Sequence, residues 1–139
     1  MNAIDFSKKL REIDKSNRLS FPGIYRHFKK FKNGEEMLYV LTACSCPRDS
    51  FKEFFEAEQC DEVEHLRFHH TELGHDIDIV RFGNRYYHDS KVEEEILPIY
   101  TALYGDRKTY VRPLSMFLSK TDKEKYPYAS QEYRLEKVK

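Results

Sequence analysis

The sequence predicts a mainly β domain with added helices, an α+β fold whose strands close into a small barrel or a strongly twisted antiparallel sheet. A helix-containing insertion interrupts it. Three observations point there. Short apolar-aromatic runs (GIYRHFKKF at 23–31, MLYVLTA at 37–43, ILPIYTALY at 96–104) alternate with tight turn dipeptides, the pattern of short strands in barrels and sandwiches. The chain has 139 residues, which suits one domain with a sizeable core, whereas two cores of half that length would each be marginal. Glycine and proline number only five each, so a long flexible linker is not expected.

Residues 5–16 predict a helix, because Phe6, Leu10 and Ile13 recur at i, i+4 and i+7 among charged residues, and Asn17 offers its end. After Phe21-Pro22-Gly23 the pattern changes to strand, and Asn33-Gly34 is a hairpin dipeptide joining 23–31 to 37–43 as a first antiparallel pair. Ser50-Phe51-Lys52-Glu53 matches a capping box. The helix it would start carries Phe51, Phe54 and Phe55 and ends near Cys60 or runs to Leu66. Alternation resumes at Ile77–Phe82, and Gly83-Asn84 turns the chain into Arg85–His88. Pro98 within Ile96–Tyr104 predicts a bulge or an edge. Gly105-Asp106 turns into Tyr110–Arg112, Leu114–Leu118 reads as a short strand or a 3₁₀ turn, and Gln131–Val138 reads as an edge strand or a segment docked on a partner.

Charge is balanced overall, with 24 basic and 24 acidic residues, but unevenly spread. Met1–Gly34 carries nine basic against three acidic residues, Asp49–Glu94 thirteen acidic against five basic, and Glu95–Lys139 nine basic against six acidic. Basic ends around an acidic middle can pair within the fold or a homodimer, or present a face to phosphate. No window approaches the ~18 apolar residues that suggest a membrane span. MNAIDFSKKL lacks an apolar signal region, and three cysteines cannot all pair. The expectation is a cytoplasmic, non-membrane domain.

Several strings also carry a resemblance. Gly23-Ile24-Tyr25-Arg26-His27-Phe28-Lys29, His88-Asp89-Ser90, Tyr100, Leu103-Tyr104-Gly105-Asp106 and Val111-Arg112-Pro113-Leu114-Ser115-Met116-Phe117 occur in order. In this the chain resembles DUF1653, a family of small bacterial domains of unknown function, over residues 23–42 and 86–119. The resemblance implies a compact SH3-like barrel and brings no established chemistry. The chain departs from the family pattern in its helix at 5–16 and its acidic, His-rich insertion at 44–85. It also has Tyr110 where members place Trp. Residues 120–139 read as a C-terminal extension.

The basic-aromatic string at 25–31 is the leading site candidate. On a strand, Tyr25, His27, Lys29 and Phe31 would face one way and Arg26, Phe28 and Lys30 the other. Rings stack on bases while Arg and Lys meet phosphate, so Tyr25, Arg26, His27, Lys29, Tyr104, Tyr110 and Arg112 are assigned as ligand-binding residues. His65 and His69, four apart on a predicted helix, and Cys46 form a weaker candidate zinc site. The Cys44-Ser45-Cys46 spacing is tighter than a zinc knuckle, and the alternative is that these histidines and cysteines fill the core, cap or hydrogen-bond. Asp76 and Asp78 would share a strand face able to hold Mg²⁺ or simply to meet water. The function expected is a non-enzymatic module recognising a nucleotide or nucleic acid. Its rivals are a protein-interaction or inhibitor domain using the acidic insertion, and a metal-assisted hydrolase centred on the His-rich insertion.

Overall fold

The computed structural model describes residues 3–53 and 63–138, with side chains from Phe6 onward. Helix α1 spans Ala3–Ile13, and strands β1 Gly23–Lys32 and β2 Glu35–Arg48 follow it. After a helical stretch at 51–53 come β3 Val63–His70, β4 His75–Phe82, β5 Arg85–Asp89, β6 Leu97–Ala102 and β7 Thr109–Val111. A one-turn helix α2, Leu114–Phe117, and strand β8, Leu135–Lys137, complete the order.

The strands run β5-β4-β3-β7-β6-β2-β1-β8, and β5 also pairs with β2. That parallel pairing, Ser45↔Tyr86 through Arg48↔Asp89, closes β2, β5, β4, β3, β7 and β6 into a six-stranded barrel of SH3-like kind. Closure removes sheet edges that would otherwise need protection. Strands β1 and β8 extend the sheet beyond β2 as a flap. The expected β1–β2 hairpin is present, with Asn33 at φ 51° and Gly34 at φ 82°, the left-handed pair that a two-residue turn requires.

Two cores result. Inside the barrel, Ile77, Ile79, Leu97, Ile99 and Val111 pack with Leu66, Phe68, Ala43 and Tyr86. Outside it, Tyr25, Met37, Tyr39, Leu41, Tyr100 and Ala102 pack under Phe117 and Leu135. Strand β2 serves both by a bulge: Leu41 pairs with Tyr100 but Ala43 pairs with Ile99, so the register slips at Thr42. Neighbours on β6 point to opposite faces. The slip therefore transfers the apolar face of β2 from the outer core to the barrel interior.

Several sequence expectations change. The helix does not run to Leu66; from Val63 the chain is strand, with Leu66, Phe68 and His70 alternating toward the interior. Period-2 alternation and pairing with β4 across all eight residues outweigh the i, i+4 spacing of His65 and His69. Ser50 sits at φ 56°, not in the extended conformation of a capping residue. Residues 54–62, including Phe54, Phe55 and Cys60, lie outside the described residues. Strands β3 and β4, from the stretch that reads as an insertion, are two of the six staves. Leu114–Phe117 is an α-helical turn, and the tail pairs as an edge strand, Leu135–Lys137 against Tyr25–His27. Helix α1 lays Phe6 and Leu10 on Cys44, Ile96 and Leu114. Its third predicted stripe residue, Ile13, is 41% exposed because the helix stops there. Asp14 then turns the chain, accepting from the N–H groups of Arg18 (2.8 Å) and Leu19 (2.9 Å).

A buried polar network fills the part of the barrel interior that hydrocarbon does not. His88 Nε2–H donates to the carbonyls of Glu93 and Glu95, both at 3.1 Å, and its Nδ1 accepts from the Ser45 hydroxyl at 2.7 Å. His70 accepts the N–H groups of Glu72 and Leu73 at Nδ1 and donates Nε2–H to the Glu93 carboxylate at 3.0 Å. Each ring thus has one donor and one acceptor used, so the neutral tautomer is specified. Burial holds His88 down at about 4, below the usual 6.5. Since the folded value lies below the unfolded one, this contribution is complete above pH 6.5 and is lost as pH falls toward 4. Urea unfolding at pH 7 and pH 5 is expected to show a loss of about 2 kcal/mol from this group. In His88→Phe that pH-dependent part should vanish.

Candidate aromatic-basic ligand site

The outer core opens at one end into a cleft of about 210 Å³ whose wall includes His27, Tyr39, Tyr100, Tyr104, Tyr110 and Arg112. Strand register produces it. Tyr39, Tyr100 and Tyr110 occupy the outer face of adjacent strands β2, β6 and β7, with Tyr100 directly opposite Tyr110. Their rings interlock. Tyr39 meets Tyr100 and Tyr104 edge-on at 5.4 and 5.5 Å, and Tyr100 stacks on Tyr110 at 5.9 Å and 28°. Edge-to-face contacts of this kind fix ring planes as well as burying area. The Tyr39 and Tyr104 hydroxyls hydrogen-bond to each other. Tyr104 stands in the β6–β7 connection, which is tied to the first hairpin by Gly105 N–H donating to Glu35 (3.0 Å).

Burial sets the protonation states. The Tyr39 and Tyr110 phenols are raised and Tyr100 is pushed up to about 12 by loss of solvent, so all three are neutral donors. His27 is lowered to about 4, first by burial and then by Arg112, Lys29 and Arg134. Its Nδ1 accepts from Lys29 N–H at 3.1 Å, leaving the proton on Nε2. The cleft wall therefore carries its fixed charge on Lys32 and on the Arg112 guanidinium, the Arg112 side chain being 11% exposed. Its Nε donates to Thr71 Oγ1 at 3.1 Å and its Nη2 lies 3.6 Å from Glu72.

A second cleft of about 310 Å³ adjoins, sharing Lys32, Tyr104 and Tyr110 with the first. Across the two, Lys32, Arg107, Lys108 and Arg112 outnumber the carboxylates Glu35 and Asp106.

Of the seven residues assigned from sequence, the structure brings together His27, Tyr104, Tyr110 and Arg112. Tyr25 is a core strut instead, 2% exposed, donating its hydroxyl to the Arg18 carbonyl at 2.8 Å. Arg26 points to the opposite face of β1 and lies 3.6 Å from Glu36. Lys29 extends over Tyr126 at 5.4 Å. For Lys29 the physical reason is a register shift in β1 between Arg26 and Phe31, with Lys30 at φ 65°, which breaks the alternation that would align it with His27. Arg26 keeps the face that alternation opposes to His27, and Tyr25 is sealed against Phe117. Sequence reasoning missed Tyr39, Tyr100 and Lys32, although Tyr39 and Tyr100 sit within strands already recognised.

The zinc site does not assemble. His65 pairs with Val80, Val80 with Tyr87 and Tyr87 with Cys46, so two strands separate His65 from Cys46. His69 meets Tyr110 edge-on at 6.0 Å and lies 3.5 Å from Asp76. Among the described residues no three His, Cys, Asp or Glu side chains group closely enough to hold a metal ion. Burial raises the Cys44 thiol and lifts Cys46 to about 11, the opposite of what a thiolate nucleophile needs. Asp76 and Asp78 share the outer face of β4, with Asp78 paired to Arg67 at 2.9 Å.

Residues 85–137 match a family described as a protein of unknown function, DUF1653. The chain carries a DUF1653-like domain. The match takes in β5 to β8, and with them Tyr100, Tyr104, Tyr110 and Arg112 of the cleft. It includes the segment after 119 that reads as an extension, and it does not reach β1 and β2. No curated protein and no solved structure matches the chain. Among the described residues no helix is long and apolar enough to cross a membrane.

Tyr110 is half-buried and its ring faces the cleft. Tyr110→Trp is expected to keep stability within about 1.5 kcal/mol and to supply the sole Trp in a chain that has none. Thermal unfolding and Trp emission check both points.

Proposed function

We propose that the domain is a non-enzymatic binding module that takes a nucleotide or single-stranded nucleic acid into the tyrosine-lined cleft. The observation that carries this reading is the convergence of half-buried Tyr104 and Tyr110 with the Arg112 guanidinium in one concavity, with Lys32 at its margin. A base stacked on a tyrosine ring gains about 1–3 kcal/mol whatever its identity, while Arg and Lys neutralise phosphate.

Charge favours this ligand over the other that tyrosine clusters attract. Aromatic cages also hold quaternary ammonium groups, but Lys32, Arg107, Lys108 and Arg112 outnumber Glu35, Asp106 and the Glu72 carboxylate beside Arg112, an excess that repels a cationic guest. The neutral state of His27, Tyr39, Tyr100 and Tyr110 leaves them as hydrogen-bond donors around an anion-seeking centre.

Fluorescence anisotropy with a labelled short single-stranded oligonucleotide tests the reading. Binding is expected to weaken as salt rises, Tyr110→Ala to lose about 1–3 kcal/mol, and Lys108→Ala to reduce the salt slope by about one. Absence of salt-dependent binding, or binding indifferent to Tyr110→Ala, would contradict it.

A further inference from the structure

We propose that the cleft selects guanine among the bases, an inference that rests on the nucleic-acid reading of the same site. It is carried by the unused hydrogen-bonding capacity of Arg112 and Glu72. Tyr110 and Arg112 are two residues apart and line the same cleft, so the guanidinium stands on the wall that also carries the ring on which a base would stack. Arg112 is held at Nε by Thr71 and faces Glu72 Oε1 through Nη2. Its Nη1 makes no hydrogen bond among the described residues.

Glu72 is equally half-used. Its Oε1 accepts from the Thr71 hydroxyl at 3.4 Å and lies 3.6 Å from Arg112 Nη2, while Oε2 makes no hydrogen bond among the described residues. Its backbone is anchored by the N–H bond to His70 Nδ1 (3.2 Å), and its side chain is 40% exposed. A charged donor and a charged acceptor therefore stand side by side next to the stacking surface.

The four bases answer that pair differently. Guanine alone presents, in sequence along its Watson–Crick edge, one acceptor (O6) and two adjacent donors (N1–H and N2–H). Arg112 Nη1 then donates to O6 while the Glu72 carboxylate accepts from both N–H groups, each a charge-assisted bond. Uracil offers a single donor between two acceptors, which sets O2 against the carboxylate. Adenine and cytosine offer only their exocyclic amine to the carboxylate. The same edge is engaged in a duplex, so this recognition requires an unpaired base.

Titration calorimetry of the full chain with GMP, AMP, CMP and UMP tests the assignment. GMP is expected to bind about tenfold or more tightly than the other three, and Glu72→Gln to bring GMP to within about threefold of them. Glu72 lies outside both cores, so the variant is expected to fold, and circular dichroism verifies it. Four equal affinities, or a GMP advantage that survives Glu72→Gln, would overturn guanine selection and leave the nucleotide reading standing. No binding of any nucleotide or of the oligonucleotide would overturn both.

Discussion

One residue of slippage in β2 organises this molecule. A strand with strict period-2 alternation can offer an apolar face to one layer only. Here the bulge at Thr42 lets 14 residues serve two layers, Met37, Tyr39 and Leu41 facing outward and Ala43 and Ser45 inward. The same strand pairs with β1 along its first half and with β5 along its second. Barrel closure, the flap of β1 and β8, and the outward tyrosines all follow from it. Without the outer layer there is no cleft, since Tyr39 and Tyr100 stand against α2 and β8 outside the barrel.

The two layers divide the polar work. Inside the barrel the histidines are spent on structure: His70 and His88 satisfy backbone and Glu93 groups and are fully sealed. Buried polar groups of this kind stabilise only while every partner is present. In the outer layer polar groups remain open to solvent. Arg112 is nearly buried yet keeps donor capacity, and its charge helps hold His27 neutral. A cation kept in a largely apolar wall acts in a lower dielectric than a surface lysine does, which strengthens its pull on an anion.

Much of this was legible in the sequence. The hairpin at Asn33-Gly34, the strand character of 37–43 and 96–104, and the pairing of the tail follow from local rules that the fold does not override. Tyr104, Tyr110 and Arg112 are grouped in the sequence by the family resemblance and not by a local rule, and in the structure they line one cleft. Three residues of β1 stay off the cleft for separate reasons. The bulge at Lys30 turns Lys29 away and leaves no signature stronger than a pair of lysines, Arg26 lies on the face that alternation opposes to His27, and Tyr25 is sealed in the outer core. His65 and His69 share a face on a helix and on a strand alike, so their spacing could not decide between the two. The long-range parallel pairing of Ser45–Arg48 with Tyr86–Asp89, which makes 63–82 part of the barrel wall, has no local sequence signal at all.

Backbone amide NMR tests most directly whether the tyrosine-lined cleft is the ligand site. On titration with a short single-stranded oligonucleotide, shifts are expected to concentrate at His27, Lys32, Thr71, Tyr104, Tyr110 and Arg112, the residues gathered at that cleft. Shifts centred instead on the groove between α1 and the β2–β5 face, near Phe6, Cys46 and Tyr87, would contradict it, as would a spectrum that does not respond.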